Sequence, residues 1–505
     1  MTVRTTQADV LIVGSGLMGA ALAEQLRQSA PQSRIVMVDG GSVIGSVPGQ
    51  HLHDTAEPTV RDEYIQAASP GVQSLYLGAA VTPDIGGDVK GIRPGMYNVS
   101  AFESDATDMP ASALAWNVGG MGIHWTAATP WPWGDEVFAY TGEGEWAGEL
   151  RKAQELLHVE KQPFAPTEVG TRMLGVLDGL FGPVSAPGRH PQAMPMAVKR
   201  QDSGPMPRTG PNRIFPRMKE PAGDDFTLVP GTLAVEIVHD GSHARGARVR
   251  EIDSGEEYVI EAVTTVVAAD TLRTPQLLFA SGIRPWALGR FLNEHAFLTG
   301  QVTADLDRLD IPLESIPRPM TGEWLIGSYW LPHSGRPQPF HGQIMDRLFI
   351  DESGGPLAYS VGLSWYVPTS ISEHNRLEFD EAVLDAAGLP RTRIHYAYTA
   401  DDEGLFSQAR ASQLEAGLAL GDFRPERDSA RLSPGSSLHF TGTARSGPSD
   451  DGTSVCDPHG RVWGFDNLFL AGGAVIPTAV VGNSTLTGMV TAVRAGREII
   501  RTLSA

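Results

Sequence analysis

The sequence predicts an α/β chain, α+β overall: a Rossmann-like nucleotide-binding unit joined to a second unit with a mainly antiparallel sheet. Three observations carry this expectation. A glycine turn sits between a strand and a helix near the N-terminus. A strand-to-helix run recurs after residue 258, and from about 300 to 430 the pattern changes to short, partly alternating segments. At 505 residues the chain is too long for one ordinary core, so two domains are expected.

Asp9-Val10-Leu11-Ile12-Val13 is an apolar run with a polar start, the pattern of a buried parallel strand. The turn Gly14-Ser15-Gly16-Leu17-Met18-Gly19 follows at once. Ala20 to Gln28 reads as a helix and Arg34 to Asp39 as a second strand. In such a unit Gly14 makes the tight turn, Gly16 allows close approach to a pyrophosphate, and Gly19 allows close helix–strand packing. The helix N-terminus offers free N–H groups and a positive dipole end to phosphates. Asp39, 20 residues after Gly19, is placed to accept bonds from the adenosine ribose. The motif alone does not separate FAD from NAD.

Composition narrows the function classes. A net charge of -20 argues against a nucleic-acid partner, which needs clustered Lys and Arg. Cys456 is the only cysteine, so no intramolecular disulfide or CxxC site exists and no metal is expected. No apolar stretch approaches the roughly 20 residues of a membrane span. The N-terminus enters a strand without a charged leader, and the expectation is a cytoplasmic protein.

Residues 60–110 show few regular periods and are expected to form an irregular excursion near a substrate entrance. In Val118-Gly119-Gly120-Met121-Gly122-Ile123-His124-Trp125-Thr126 the small residues let backbone approach a flat ring closely. His124 and Trp125 add a polar and an aromatic face, although on residue physics alone His124 is more often a satisfied core histidine. Glu236 to Arg250 reads as a hairpin turning at Asp240-Gly241. Tyr258 to Ala269 reads as a strand, followed by a loop from Asp270 and a helix ending at Gly282. The segments Trp324–Trp330, Tyr359–Trp365, Arg376–Phe379 and Thr392–Tyr398 suggest an antiparallel sheet with one buried face. Phe340 to Phe349 mixes apolar and hydrogen-bonding residues, as polyol recognition requires, although half-buried strands look the same.

The last quarter carries the chemistry. His439 lies in a segment of small and polar residues, Ser436 to Thr443, and Ala471 to Thr478 reads AGGAVIPT. Gly482-Asn483-Ser484 precedes a helix that looks continuous to about Arg501, with Asn483 and Ser484 as capping types. His439 can serve as general base toward an alcohol, with Asn483 holding the same oxygen. A core histidine and a helix cap explain the two residues equally well until a comparison is made.

The glycine turn, TPQLLFASGI (Thr274–Ile283), LGRFLNEHA (Leu288–Ala296) and DNLFLAGGAVIPT…GNSTLT together resemble the glucose–methanol–choline (GMC) oxidoreductase family over essentially the whole chain. GGMGIHWT is most similar to the pyranose oxidase branch and its bacterial glycoside 3-oxidase relatives. The resemblance implies FAD and a discontinuous Rossmann-like FAD-binding domain, set at 1–140, 218–300 and 432–505. It implies a substrate-binding domain with a six-stranded sheet, set at 141–217 and 301–431. It places the catalytic pair at His439 and Asn483. Flavin contacts are expected from Gly14, Gly16, Gly19, Asp39, Gly120, Met121, His124, Trp125, Thr126, Gly472, Gly473, Ser484 and Thr485. A helix N-terminus beside Asn483 and Ser484 would stabilise negative charge on a reduced flavin. Non-covalent FAD is the expectation, with a covalent link through His124 as the alternative.

The branch's HTQIH-like sugar strand falls on His341-Gly342-Gln343-Ile344-Met345. Gln343 is retained, Met345 replaces a histidine, and Asp346-Arg347 reverses the family's basic–acidic order; Gln343, Met345 and Arg347 are the expected sugar contacts. These departures favour oxidation at C3 of O- or C-glucosides, with reoxidation by O2 or a quinone, over C2 oxidation of free glucose. A non-redox hydroxynitrile lyase is a remote alternative. A monomer or homodimer is expected. Asp270 stands where the family usually has glycine, and the sequence assigns it no role.

Overall fold

The computed structural model describes residues 5–68, 81–82, 85–201, 204–220 and 222–503. The N-terminal apolar run is the strand Thr5–Val13, set inside a seven-stranded sheet between parallel neighbours Ile35–Val38 and Glu257–Val267. Val10 and Ile12 pack on one face with residues of the helices Leu17–Ser29 and Thr485–Leu503. Leu11 and Val13 pack on the other with Leu277 and Leu278. Both faces are covered, which is why the run does not alternate with polar residues.

The hairpin Thr232–His239 and Ala244–Glu251 extends this sheet. Its turn forms as expected: Asp240 Oδ1 accepts the N–H groups of Ser242 and His243. Phe226–Val229 pairs in parallel with Ile35–Val38. Leu468–Leu470 pairs in parallel with Glu257–Val267, which brings the C-terminal segment into the N-terminal sheet.

The second sheet has six strands in the order 429–431, 296–303, 356–367, 341–350, 327–331 and 192–193, all antiparallel. The strand Ala296–Thr303 already belongs to it. Along His341–Ile350 side chains alternate between faces. Ile344 joins the apolar core of this sheet with Leu363 and Tyr359. Asp346 lies on the same face, accepting the hydroxyls of Tyr329 (3.1 Å) and Tyr359 (2.7 Å). His341, Gln343, Met345 and Arg347 share the opposite face.

Several elements differ from expectation. Pro58–Ala68 is a helix within the stretch read as irregular. It opens with Pro at a favoured position, and its apolar side is short: only Val60, Tyr64 and Ile65 pack in a small cluster with Leu52, Met96 and Ile123. Residues 69–80 and 83–84 of that stretch lie outside the described residues. The expected loop at Asp270 is absent, because the helix Asp270–Ala280 starts there. Pro275 inside it cannot donate to the Thr271 carbonyl, and Thr443 Oγ1 donates to that carbonyl instead (2.5 Å). Between 300 and 430, Arg376–Leu384 and Pro390–His395 form a separate two-stranded sheet. Ala400–Leu420 is a long helix, opened by a capping box between Thr399 and Asp402. Among the described residues no helix is long and apolar enough to cross a membrane.

Candidate active site

A cavity of about 280 Å³ runs from the Gly14–Gly16 turn to the start of the helix Thr485–Leu503. Gly14, Gly16, Asp39, Gly120, Met121, Trp125, Gly472, Gly473, Ser484 and Thr485 line it. The glycines divide by what surrounds them. A Cβ on Gly14 would overlap the Ala268 carbonyl, and one on Gly19 the Gly14 carbonyl. Gly16 and Gly120 instead face open space, with no protein atom nearer than 3.8 Å to an added Cβ. The second glycine thus leaves a cradle for a pyrophosphate while the third serves helix–strand packing. A dinucleotide such as FAD fits this lining.

Ser15 ties the cradle together. Its hydroxyl donates to Asp39 Oδ2 (2.5 Å) and accepts the Gly119 N–H (2.8 Å). Burial pushes the Asp39 carboxyl up to about 6, against the Ser15 and Gly41 hydrogen bonds that lower it. Asp270 also lines the cavity and is exposed to that space. Its φ of 65° is left-handed, the conformation that favours glycine there; a short polar side chain tolerates it by bonding locally. Asp270 Oδ1 accepts the N–H groups of Leu272 (2.6 Å) and Arg273 (2.9 Å).

Gly19, His124 and Thr126 lie outside the cavity lining. Asn117 gives both amide hydrogens to the carbonyls of Val118 and Gly120, so its oxygen faces His124 Nε2 at 2.9 Å. That nitrogen therefore carries the hydrogen. Burial lowers the His124 ring to about 4, leaving it neutral. Trp125 Nε1 donates to the Thr209 carbonyl (2.9 Å), which fixes its ring among core residues.

His439 and Asn483 lie off that lining, beside Leu438, Phe440 and Ser484, which belong to it, and the two meet: Asn483 Nδ2 lies 3.4 Å from His439 Nε2. His439 Nδ1 lies 2.7 Å from His295 Nε2. An amide N–H directed at Nε2 requires a lone pair there, so Nδ1–H of His439 donates to His295. Burial lowers the His439 ring to about 4.

Two buried glutamates pin the loops that carry this pair. Glu294 accepts Gly435 N–H (2.5 Å) and Ser437 Oγ–H (2.6 Å), and Ser437 Oγ accepts the N–H of His439 (3.1 Å). Glu136 accepts Val481 N–H (2.8 Å) and Trp133 N–H (2.9 Å) and pairs with His333 Nε2 (2.7 Å). Leu438, between Ser437 and His439, is held at φ 53°, a left-handed conformation that the anchored loop maintains. Glu294, His295 and Glu136 were not among the expected site residues. The LGRFLNEHA run was the only pointer to the first two, and nothing in the sequence pointed to Glu136.

Gln343 joins the pair through Tyr366. Its Oε1 accepts the Tyr366 hydroxyl (2.6 Å), and the Tyr366 ring packs against His295, His341 and His439. The Gln343 amide nitrogen makes a weak contact to Met345 Sδ at 4.0 Å. Met345 packs into the apolar cluster with Trp330 and Val480. Arg347 is four residues beyond Gln343, roughly 13 Å along the strand, and is not brought beside the pair.

A family model for GMC oxidoreductases matches residues 372–492. The chain is 35% identical to a C-glycoside 3-oxidase of Microbacterium trichothecenolyticum, over 99% of this chain and 98% of that protein. It is 36% identical to a C-glycoside 3-oxidase of Arthrobacter globiformis, over 98% and 95%. A pyranose 2-oxidase of Tricholoma matsutake is 25% identical over 97% and 93%. In fold, the structure is similar to pyridoxine 4-oxidase from Mesorbium loti, with TM-score 0.64 and 16% identity over 97% of this chain and 99% of that one.

Proposed function

The chain belongs to the GMC oxidoreductase family, and from that membership we propose that it oxidises a sugar secondary hydroxyl, at C3 of O- or C-glucosides. The observation that carries the chemistry is the His439–Asn483 pair, with His439 Nδ1 already engaged by His295. The full-length similarity to C-glycoside 3-oxidases supports the position of attack.

FAD, when bound, supplies the acceptor for hydride, which passes its electrons on to O2 or a quinone. Gly14, Gly16, Asp39, Gly120, Met121, Gly472, Gly473, Ser484 and Thr485 would hold it. The chain's own task is to bind the hydroxyl and take its proton. Asn483 Nδ2–H donates to the hydroxyl oxygen, and the hydroxyl donates to His439 Nε2. Burial keeps that nitrogen unprotonated at neutral pH, and the proton moves to it as hydride leaves the carbon. His295 accepts the Nδ1–H throughout, which holds the ring in one tautomer and orients the imidazolium that forms. Such a base contributes about 10²–10⁴-fold in rate. Gln343, tied to the pair through Tyr366, is the residue we assign to a second sugar oxygen.

FAD is held without a covalent bond in this reading. His124 Nε2 is engaged with Asn117, and its ring lies off the cavity lining. Denaturation in SDS is expected to release the flavin; flavin migrating with the chain would overturn this.

Retention of Gln343 favours one other reading, a pyranose 2-oxidase acting on free glucose. Anaerobic bleaching of the flavin band separates the two. Rapid bleaching by methyl β-glucoside, with a 3-keto product, is expected. Bleaching by glucose alone would install the second reading. No bleaching by either would remove the sugar assignment.

A further inference from the structure

Beside Asn483 lies a small chamber of about 10 Å³, bounded by Arg189, His341, Trp330, Glu136 and Gly482 among others. Three of the residues that line it each carry a buried side-chain atom with no partner among the described residues: Arg189 Nη2, His341 Nε2 and Asn483 Oδ1. Their residues are 3%, 1% and 8% exposed. The first two are donors. Arg189 Nε donates to the His333 carbonyl (2.6 Å), and its guanidinium stacks on Trp133 and Trp330. Trp330 Nε1 donates to His341 Nδ1 (2.7 Å), so His341 carries its hydrogen on Nε2. The third atom is an acceptor, because Asn483 directs its NH2 at His439. Glu136 has both oxygens engaged already.

Two donors and one acceptor around a space of this size match one oxygen that accepts twice and donates once. We propose that Arg189 and His341 are positioning residues that hold a water molecule against Asn483 Oδ1 and so fix the amide with its NH2 toward His439. Turned over, the amide would set its NH2 against two donors. Its oxygen would face His439 Nε2 and draw the ring hydrogen there, the wrong tautomer for a base. The inference rests on the reading of His439 as base. A sugar hydroxyl has the same donor and acceptor capacity as water, and the test separates them.

The experiment is a double-mutant cycle on the FAD-loaded enzyme with methyl β-glucoside: wild type, Arg189→Met, Asn483→Ala and the double variant. Arg189→Met is expected to lower kcat about tenfold with KM within about twofold, and to have no further effect once Asn483 is alanine. Arg189→Lys, which keeps a donor, should recover most of the loss. An effect confined to KM would mean that the donors hold a sugar oxygen, and the water assignment would fall. An effect on kcat that persists in the Asn483→Ala background would show that Arg189 does not act through Asn483. Unchanged kcat in Asn483→Ala itself would bring down the proposed mechanism as well. If Arg189→Met does not fold, the same cycle with His341→Leu reads the second donor by the same criteria.

Discussion

At the nucleotide end of the cavity one continuous stretch, Gly14 to Asp39, supplies the turn, the cradle and the acid. At the proposed catalytic pair His295, Gln343, His439 and Asn483 come from four separate segments, and two buried glutamates, Glu294 beside His295 and the distant Glu136, hold the loops in place. The first design depends on backbone shape, where one extra carbon has no room. The second depends on hydrogen bonds between distant side chains, each of which can be removed singly. The nucleotide end should therefore fail all at once, and the catalytic end by degrees.

The largest effect is expected from Gly19→Ala. Its Cβ would overlap the Gly14 carbonyl, and neither strand nor helix can yield, so purified protein should carry no flavin absorbance. Full occupancy would show the turn to be adaptable and blunt the contrast. Next is His439→Ala, with kcat lowered about 10²–10⁴-fold and flavin content unchanged. Wild-type turnover would remove the base. His295→Leu should lower kcat about tenfold, equivalent to one buried hydrogen bond of about 1.4 kcal/mol, with KM little changed. A loss equal to that of His439→Ala would make His295 part of the chemistry. The same pair predicts the pH profile. His439 acts in its neutral form, so kcat/KM should be level from neutral pH down to about 5 and fall as pH approaches 4.

The smallest effect belongs to the nucleotide end and sharpens the comparison. Although the Asp270 side chain opens into the cavity, the protein walls around it strip water from the carboxyl and raise it above its ordinary 3.8, so the native state keeps a proton that the unfolded chain has released. Asp270 therefore costs stability as pH rises through that window. Asp270→Asn keeps the cap and the left-handed turn without the charge, and should melt higher than wild type at pH 7 but not at pH 4. Equal melting at both would mean that cavity water solvates the carboxylate fully.

The same contrast explains what could be read in advance. The strand, turn, helix and acid at the N-terminus follow from short-range geometry, and each has a sequence signature. That His439 and Asn483 form a polar pair was legible by type and position. Their supports were not: Glu294, His295, Tyr366 and Glu136 acquire meaning only when the six-stranded sheet closes on the C-terminal loops. The helix start at Asp270 was hidden because an acid occupies a backbone conformation usually signalled by glycine. His124 carried a family motif, yet the Asn117 amide turns its ring away from the cavity.

The lining of the large cavity extends from Val13 to Gly488, and Leu468–Leu470 adds its strand beside Glu257–Val267. A growing chain therefore has no complete cavity until Gly488 has been synthesised. A ribosome stalled before Asn483 would hold a chain whose cavity still lacks the wall formed by Ser484, Thr485 and Gly488, and which should not turn yellow.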